Sequence, residues 1–343
     1  MNLAAKYRPS TLDDVVEQSL VTNMLKSMCQ AEELTNRNFL LIGPAGTGKT
    51  TSARAMANLL NNGEGEPIEI DAASHSGVDA MRDIVQQARS YPVGCKYKVF
   101  IIDEVHSISP AGWQVLLKTL EENPAKSVFL LCTTNPEKIP ATILSRVQTF
   151  QLSKISLAGI NKRLTYILEK EKEEGRNITY EAEAVNYIAK LANGGMRDAI
   201  TLLDKALAYS ENVSSDNVYK ALNLPSYDDY FLLLNAVAKK DNKAIAEIIH
   251  KVYNSGVNFV KWFEGFHSFV CNIVKYIFLQ DINATMIPSY YQDKISKYGT
   301  AHSTLCLRLA NKLLKLNHEL RGTQYLQEVA LTYLCSVPKK GDK

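Results

Sequence analysis

The run Gly43-Pro44-Ala45-Gly46-Thr47-Gly48-Lys49-Thr50 belongs at one kind of place in a fold, between the end of a buried strand and the start of a helix. Gly43 and Gly48 allow the tight turn that aims consecutive backbone N–H groups at an anion. Lys49 brings positive charge to the outer phosphates of a nucleotide, and the Thr50 hydroxyl is placed to ligate Mg²⁺. The flanks agree. Asn38–Ile42 reads as a buried strand, and Thr51–Leu60 as a helix whose positive N-terminal end faces the phosphates. Nucleotide binding follows; a degenerate loop that binds without hydrolysing is the other reading.

Further apolar runs at Pro67–Ile70, Val99–Ile102, Ser127–Cys132 and Thr149–Leu152 lack clean alternation. Strands of that kind sit in a parallel sheet covered by helices on both faces. The fold expected to about Ile155 is therefore a doubly wound α/β core with its ligand at the carboxyl ends of the strands. Asp103 and Glu104 emerge where one of these strands ends. Asp103 would share the Mg²⁺ with Thr50, and Glu104 would deprotonate an attacking water. Thr133, Thr134 and Asn135 tip another strand, so a Thr134 hydroxyl could hold that water. Capping of a turn before Pro136 is the alternative.

From Ser156 the pattern turns entirely helical. Helices are expected over Leu157–Glu174, Tyr180–Ala192 and Met196–Tyr209, closing a small unit near Leu224-Pro225. Val257–Gln280, Thr304–Leu320 and Gln324–Val337 continue the helices, and the tail from Pro338 is expected to fray. Six cysteines without paired spacing suggest buried free thiols in a reducing cytoplasm rather than disulfides or zinc. The N-terminus has no signal-peptide core, and no apolar run is long enough to span a membrane. A formal net charge of only +3 means that any nucleic-acid contact must come from a local stripe.

Several motifs in order resemble the AAA+ clamp-loader ATPases, in particular the bacterial DNA polymerase III gamma/tau type. They are Lys6–Gln18, the phosphate loop, Ile70–Asp79, Ile102–His106, Leu116–Glu122, Ile143–Arg146 and Gly194–Ala199. The resemblance implies an AAA+ nucleotide-binding domain over residues 1–155, a helical lid over 156–224 and an all-helical oligomerising collar over 225–343. It implies that Tyr7, Arg8, Pro9 and Val16 pack around the base and ribose of ATP, and that the loop through Thr51 holds its phosphates. Arg146 matches an arginine finger reaching a neighbouring subunit's ATP, and Arg197 a sensor on the γ-phosphate of its own. Ser74, His75 and Arg82, around the start of a helix expected over Ala80–Ser90, become candidates for DNA phosphate contact. The implied partners are a ring-shaped sliding clamp, primer–template DNA and other loader subunits in a homo- or hetero-oligomer, a pentamer by the family's pattern. The implied place is the cytoplasm, a host's if the chain is virus-encoded.

The sequence departs from that family in places. Asn61–Glu66 stands where members usually carry a four-cysteine zinc module, so no structural zinc is expected. Glu17 replaces a glycine and Val147 a cysteine. The chain ends at the expected collar, without the long extension of the tau form, which suggests a compact loader of viral or minimal-genome type. Rival readings are a helicase, from Asp103-Glu104-Val105-His106, a non-catalytic loader scaffold, and another AAA+ remodeller such as a helicase loader or branch-migration motor. A helicase would need a second motor domain, for which the helical half supplies no strands. His106 at a strand-to-helix turn reads as a local hydrogen-bonder.

Overall fold

A computed structural model describes residues 2–34, 36–122, 124–222, 227–288 and 291–336. They divide into two compact units, Met1–Val213 and Ser214–Lys343. The expected lid boundary at Leu224-Pro225 and the tail from Pro338 lie outside the described residues.

The first unit opens with α1 (Leu3–Lys6) and α2 (Ser19–Cys29). Its core alternates strands and helices: β1 (Asn38–Ile42), α3 (Lys49–Leu60), β2 (Ile68–Asp71), α4 (Val78–Ala88), β3 (Lys98–Asp103), α5 (Pro110–Glu122) and β4 (Ser127–Thr133). Then come α6 (Ala141–Leu144) and β5 (Gln148–Gln151). These five strands form one parallel sheet in the order β2-β3-β4-β1-β5. Alternate side chains of each strand leave opposite faces, and in the central strands β1, β3 and β4 both sets are apolar, whereas the edge strands β2 and β5 carry exposed polar residues. Phe39, Leu41, Ile101, Leu130 and Cys132 meet Val21 and Leu25 of α2 and Met56 of α3. Leu40, Phe100, Ile102, Phe129 and Leu131 meet Met81 and Ile84 of α4 and Trp113 and Leu116 of α5. Phe100 and Phe129 stack across the β3–β4 pair at 5.1 Å between centroids. Fully burying one such side chain contributes about 1.5–3 kcal/mol, so the central strands fix the scaffold on which the loops stand.

A helical subdomain follows in the same unit: α7 (Leu157–Glu173), α8 (Ala182–Leu191) and α9 (Met196–Tyr209). Ser156 caps α7 by accepting from Gly159 N at 3.0 Å. The expectation of helices alone is corrected by two short strands, β6 (Thr179–Tyr180) and β7 (Asn212–Val213), which pair in parallel. Tyr180 thus lies in a strand, not at the start of α8.

The second unit is helical: α10 (Ser215–Ala221), α11 (Tyr227–Lys239), α12 (Asn242–Asn254), α13 (Phe259–Leu279), α14 (Gln292–Leu320) and α15 (Leu326–Cys335). α13 carries an apolar stripe at helical spacing, Phe259, Trp262, Phe263, Phe266, Phe269, Val270 and Ile273, and this stripe is buried. α14 begins a full three turns before the expected Thr304, with non-helical dihedrals at His302 marking a kink. The six cysteines are free, but only Cys132 and Cys306 are buried, and Cys271 is exposed. That corrects the reading of all six as buried. No helix among the described residues is long and apolar enough to cross a membrane.

Candidate active site

The phosphate loop connects β1 to α3 at the carboxyl edge of the sheet. Its sharp turns lie at Gly46 (φ 72°) and Gly48 (φ 104°), rather than at Gly43. Gly43 is needed for closeness instead, since a Cβ there would stand 2.7 Å from the Leu152 carbonyl. Lys49 is buried, and its ammonium donates to the Gly43 and Pro44 carbonyls at 2.9 and 3.0 Å. The Thr47 hydroxyl donates to Pro44 O at 2.9 Å.

Parallel pairing brings the ends of β3 and β4 beside this loop. The Thr50 hydroxyl donates to Asp103 Oδ2 at 2.6 Å, so both expected oxygen ligands meet in one place. A hard cation favours such oxygen donors, and the pair fits Mg²⁺ by its chemistry. Glu104 follows with a left-handed backbone (φ 47°), which turns its carboxylate toward the tip of β4. There the Thr134 hydroxyl donates to Glu104 Oε2 at 3.2 Å. His106 Nδ1 lies 3.2 Å from both Thr133 Oγ1 and Glu104 Oε2, among local partners.

A cavity of about 530 Å³ opens over these groups. Its floor is Ala45–Thr51 with Asp103 and Glu104; Tyr7, Arg8, Pro9 and Val16 form one wall, and Met196, Arg197 and Ile200 another. Burial lowers the pKa of Arg8 from its ordinary value, and the like charges of Arg54 and Arg197 lower it further. Like charges gathered around Arg8 in this way favour an anion beside it. The helical subdomain touches the loop backbone to backbone: Met196 N donates to Gly46 O at 2.9 Å.

Arg146 is absent from the cavity lining. Its side chain is about one-third exposed, and its guanidinium is paired with Glu121, Nε to Oε1 being 2.6 Å, with Nη1 donating to Thr142 O at 2.6 Å. Ser74, His75 and Arg82 are exposed at the β2–α4 junction. The Ser74 hydroxyl donates to Asp71 at 3.0 Å, and Arg82 donates to Asp79 at 2.8 Å, so a phosphate would have to compete with these carboxylates. The start of α4 is Val78, two residues before the expected Ala80. Among the described residues, no cluster of three His, Cys, Asp or Glu side chains could hold a metal.

Of two further residues that matter here, Glu17 stands out in the sequence only as a departure from the family's glycine, and Glu171 is not singled out. Glu17, in the left-handed region at φ 54°, accepts from both the backbone N and the hydroxyl of Ser156 at 2.6 Å. Glu171 is buried on the inner face of α7, where Lys6 donates to it at 2.5 Å, Tyr7 OH at 2.7 Å and Arg176 at 3.1 Å. Its position continues the apolar stripe Ile160, Leu164, Ile167 and Leu168, a spacing that could have exposed it.

The family model described as DNA polymerase III clamp loader subunit, ATPase lid domain, matches residues 159–212. The model described as DNA polymerase III, delta subunit, matches residues 66–156. The DNA polymerase III subunit gamma/tau of Mycoplasma genitalium is 33% identical over 301 residues, covering 81% of this chain and 49% of that protein. The chain thus spans about half the length of that relative. The subunit gamma of Buchnera aphidicola is 34% identical over 279 residues, covering 75% of this chain and 74% of that one. Among solved structures, the Thermotoga maritima RuvB Holliday junction branch migration motor superposes with a TM-score of 0.52 at 20% identity, covering 70% of this chain and 84% of that one. At that identity the likeness speaks for the AAA+ fold alone.

Proposed function

The chain belongs to the DNA polymerase III gamma/tau family of clamp-loader subunits, and from that membership we propose that it is the ATPase motor subunit of a DNA sliding-clamp loader. In this reading residues 1–155 bind ATP, 156–224 form the lid and 225–343 the collar that gathers subunits into a ring, by the family's pattern a pentamer. ATP binding assembles the ring, opens a clamp and grips primer–template DNA; hydrolysis releases the closed clamp in the cytoplasm.

The base and ribose lie against Tyr7, Arg8, Pro9 and Val16, and the triphosphate lies on the loop. Lys49 then exchanges its two loop carbonyls for phosphate oxygens, a replacement of neutral by charged acceptors that favours binding. Thr50 and Asp103 would hold Mg²⁺, whose charge offsets that of the β- and γ-phosphates when bound. Glu104 takes the proton of the attacking water while Thr134 fixes its carboxylate. Arg197, at the start of α9, reports the γ-phosphate to the lid. Ser74, His75 and Arg82 are assigned to DNA phosphates, contacts that position the duplex without reading bases.

One observation carries the reading. The cavity gathers the loop, both carboxylates and Arg197, while Arg146 stands outside it, paired with Glu121. In this reading the guanidinium serves a neighbour's nucleotide, the role its motif matches in the family, and such a finger is worth about 10³–10⁵ in rate. The test is Arg146→Ala in the assembled loader with clamp and primed DNA. Nucleotide affinity should stay within about twofold while DNA-stimulated turnover falls by about 10³ or more. Unchanged turnover would reject the assignment.

A further inference from the structure

We propose that Glu171 is the positioning residue that fastens the base-seating segment of the N-terminus to the lid, so that affinity for the base depends on a carboxylate lying outside the cavity. The proposal rests on the reading of the cavity as an ATP site. It adds a residue and a coupling to that site.

The wall made by residues 2–16 has two separate anchors. Its first half belongs to the lid. One oxygen of Glu171 takes the Lys6 ammonium and the Tyr7 hydroxyl together, and the other takes Arg176. Lys6 also pairs with Glu174. Arg163 of α7 donates to the Tyr7 carbonyl at 2.9 Å, and Leu3 N reaches Asp204 of α9 at 3.4 Å. Its second half belongs to the sheet. Leu12 is buried with the α2–α3 side of the core. The Gln18 side chain bridges the backbone of Ser153, donating to its carbonyl at 2.8 Å and accepting from its N–H at 3.1 Å.

Tyr7 and Arg8 are therefore fastened to the lid alone, whereas Val15 and Val16 lie between the sheet-side anchors and the Glu17–Ser156 bonds to the start of α7. Both pairs line the cavity. A base seated between them bridges two bodies that are otherwise tied by contacts such as Met196 N to Gly46 O. The lid-borne half is held by a buried charge with three donors, which makes it stiff. Burial by itself would raise the Glu171 pKa, but the bonds from Lys6, Tyr7 and Arg176 overcome that and hold it down at about 2. These donors favour the charged carboxylate. Removing its charge loosens the Tyr7–Arg8 wall and leaves the phosphate loop as it is.

The experiment compares two ligands on wild type, Glu171→Gln and the double variant Lys6→Met/Tyr7→Phe in the full chain. A non-hydrolysable ATP analogue needs loop and base seat; inorganic tripolyphosphate needs the loop only. Loss of one charge-assisted bond corresponds to roughly a tenfold change in affinity. Both variants should bind the analogue roughly tenfold more weakly and tripolyphosphate within about twofold of wild type. Amide exchange at Leu3–Arg8 should slow on adding the analogue to wild type and respond much less in either variant. The double variant leaves Glu171 paired with Arg176, so it keeps the test available if Glu171→Gln folds poorly. Equal weakening of both ligands, or no weakening of either, overturns the proposal. A wild-type protein that binds tripolyphosphate as tightly as the analogue would instead remove the base seat, and the proposal with it.

Discussion

Replacing Glu17 by alanine and by glycine separates two opposing forces at the joint between the N-terminal segment and α7. The Glu17 backbone sits in the left-handed region, which costs an L-residue about 1 kcal/mol that glycine does not lose. Its carboxylate accepts two hydrogen bonds from Ser156, at the N-terminus of α7. These groups are exposed, so each bond contributes about 0.5–1 kcal/mol after competition with water. Alanine loses the bonds and keeps the backbone cost, for a loss of about 1–2 kcal/mol. Glycine loses the bonds but recovers about 1 kcal/mol, which brings it near wild type. The chain has two tryptophans, Trp113 in the first unit and Trp262 in the second. Urea titration in a Trp262→Phe background, followed by Trp113 fluorescence, reads the first unit alone. The midpoints should rank wild type, then glycine, then alanine. Alanine as stable as glycine would refute the reasoning, because the backbone cost would then be absent.

Other consequences can be measured alongside. A Cβ at Gly159 would stand 2.4 Å from the Glu17 carboxylate, so Gly159→Ala should destabilise wild type by about 1 kcal/mol and the Glu17→Gly variant much less. Equal losses in both backgrounds would exclude eviction of the carboxylate. Asp103→Asn should leave metal-free binding of an ATP analogue within about twofold while Mg²⁺-dependent turnover drops at least about 100-fold; chelation should silence wild type in the same way. Glu171, held at about 2 against an ordinary 4.5, stabilises the fold fully above that ordinary value and loses the contribution as pH falls toward 2. The stability gap between wild type and Glu171→Gln should therefore be constant near neutrality and close between about 4.5 and 2. A gap that persists at the acid end would contradict the assignment.

Much of this architecture is readable from the chain because its signals are local. β1, β3 and β4 are short apolar runs, as helices on both faces require, and β3 and β4 end in the polar residues Asp103 and Thr133. The helix Met196–Tyr209 has both expected ends, since Gly194-Gly195 must stop the one before it. What escaped depends on distant partners. β6 and β7 are two residues each and exist only through their pairing, so neither carries a strand signature. A helix is expected only from Thr304, whereas α14 already begins at Gln292 and carries a kink at His302. The left-handed backbone of Glu17 and the burial of Glu171 follow from contacts more than a hundred residues away. Cys271 lies on the outer side of an apolar helix, where composition alone suggests burial. The loop and the Asp103-Glu104 pair could be found by pattern, but the pairing of Arg146 with Glu121 could not.

The claim on which the mechanism depends is that the cavity lacks a cation supplied by another copy, and mixing two inactive proteins tests it directly. Lys49→Ala keeps its Arg146 but cannot hold the triphosphate; Arg146→Ala holds the triphosphate but offers its neighbour no guanidinium. Assembled separately with clamp and primed DNA, each should be inactive. Assembled together, interfaces that join an intact cavity to an intact Arg146 should recover DNA-stimulated hydrolysis, to roughly a quarter of the wild-type rate for random mixing. Hydrolysis that stays absent at every mixing ratio in rings shown to contain both proteins would contradict the account.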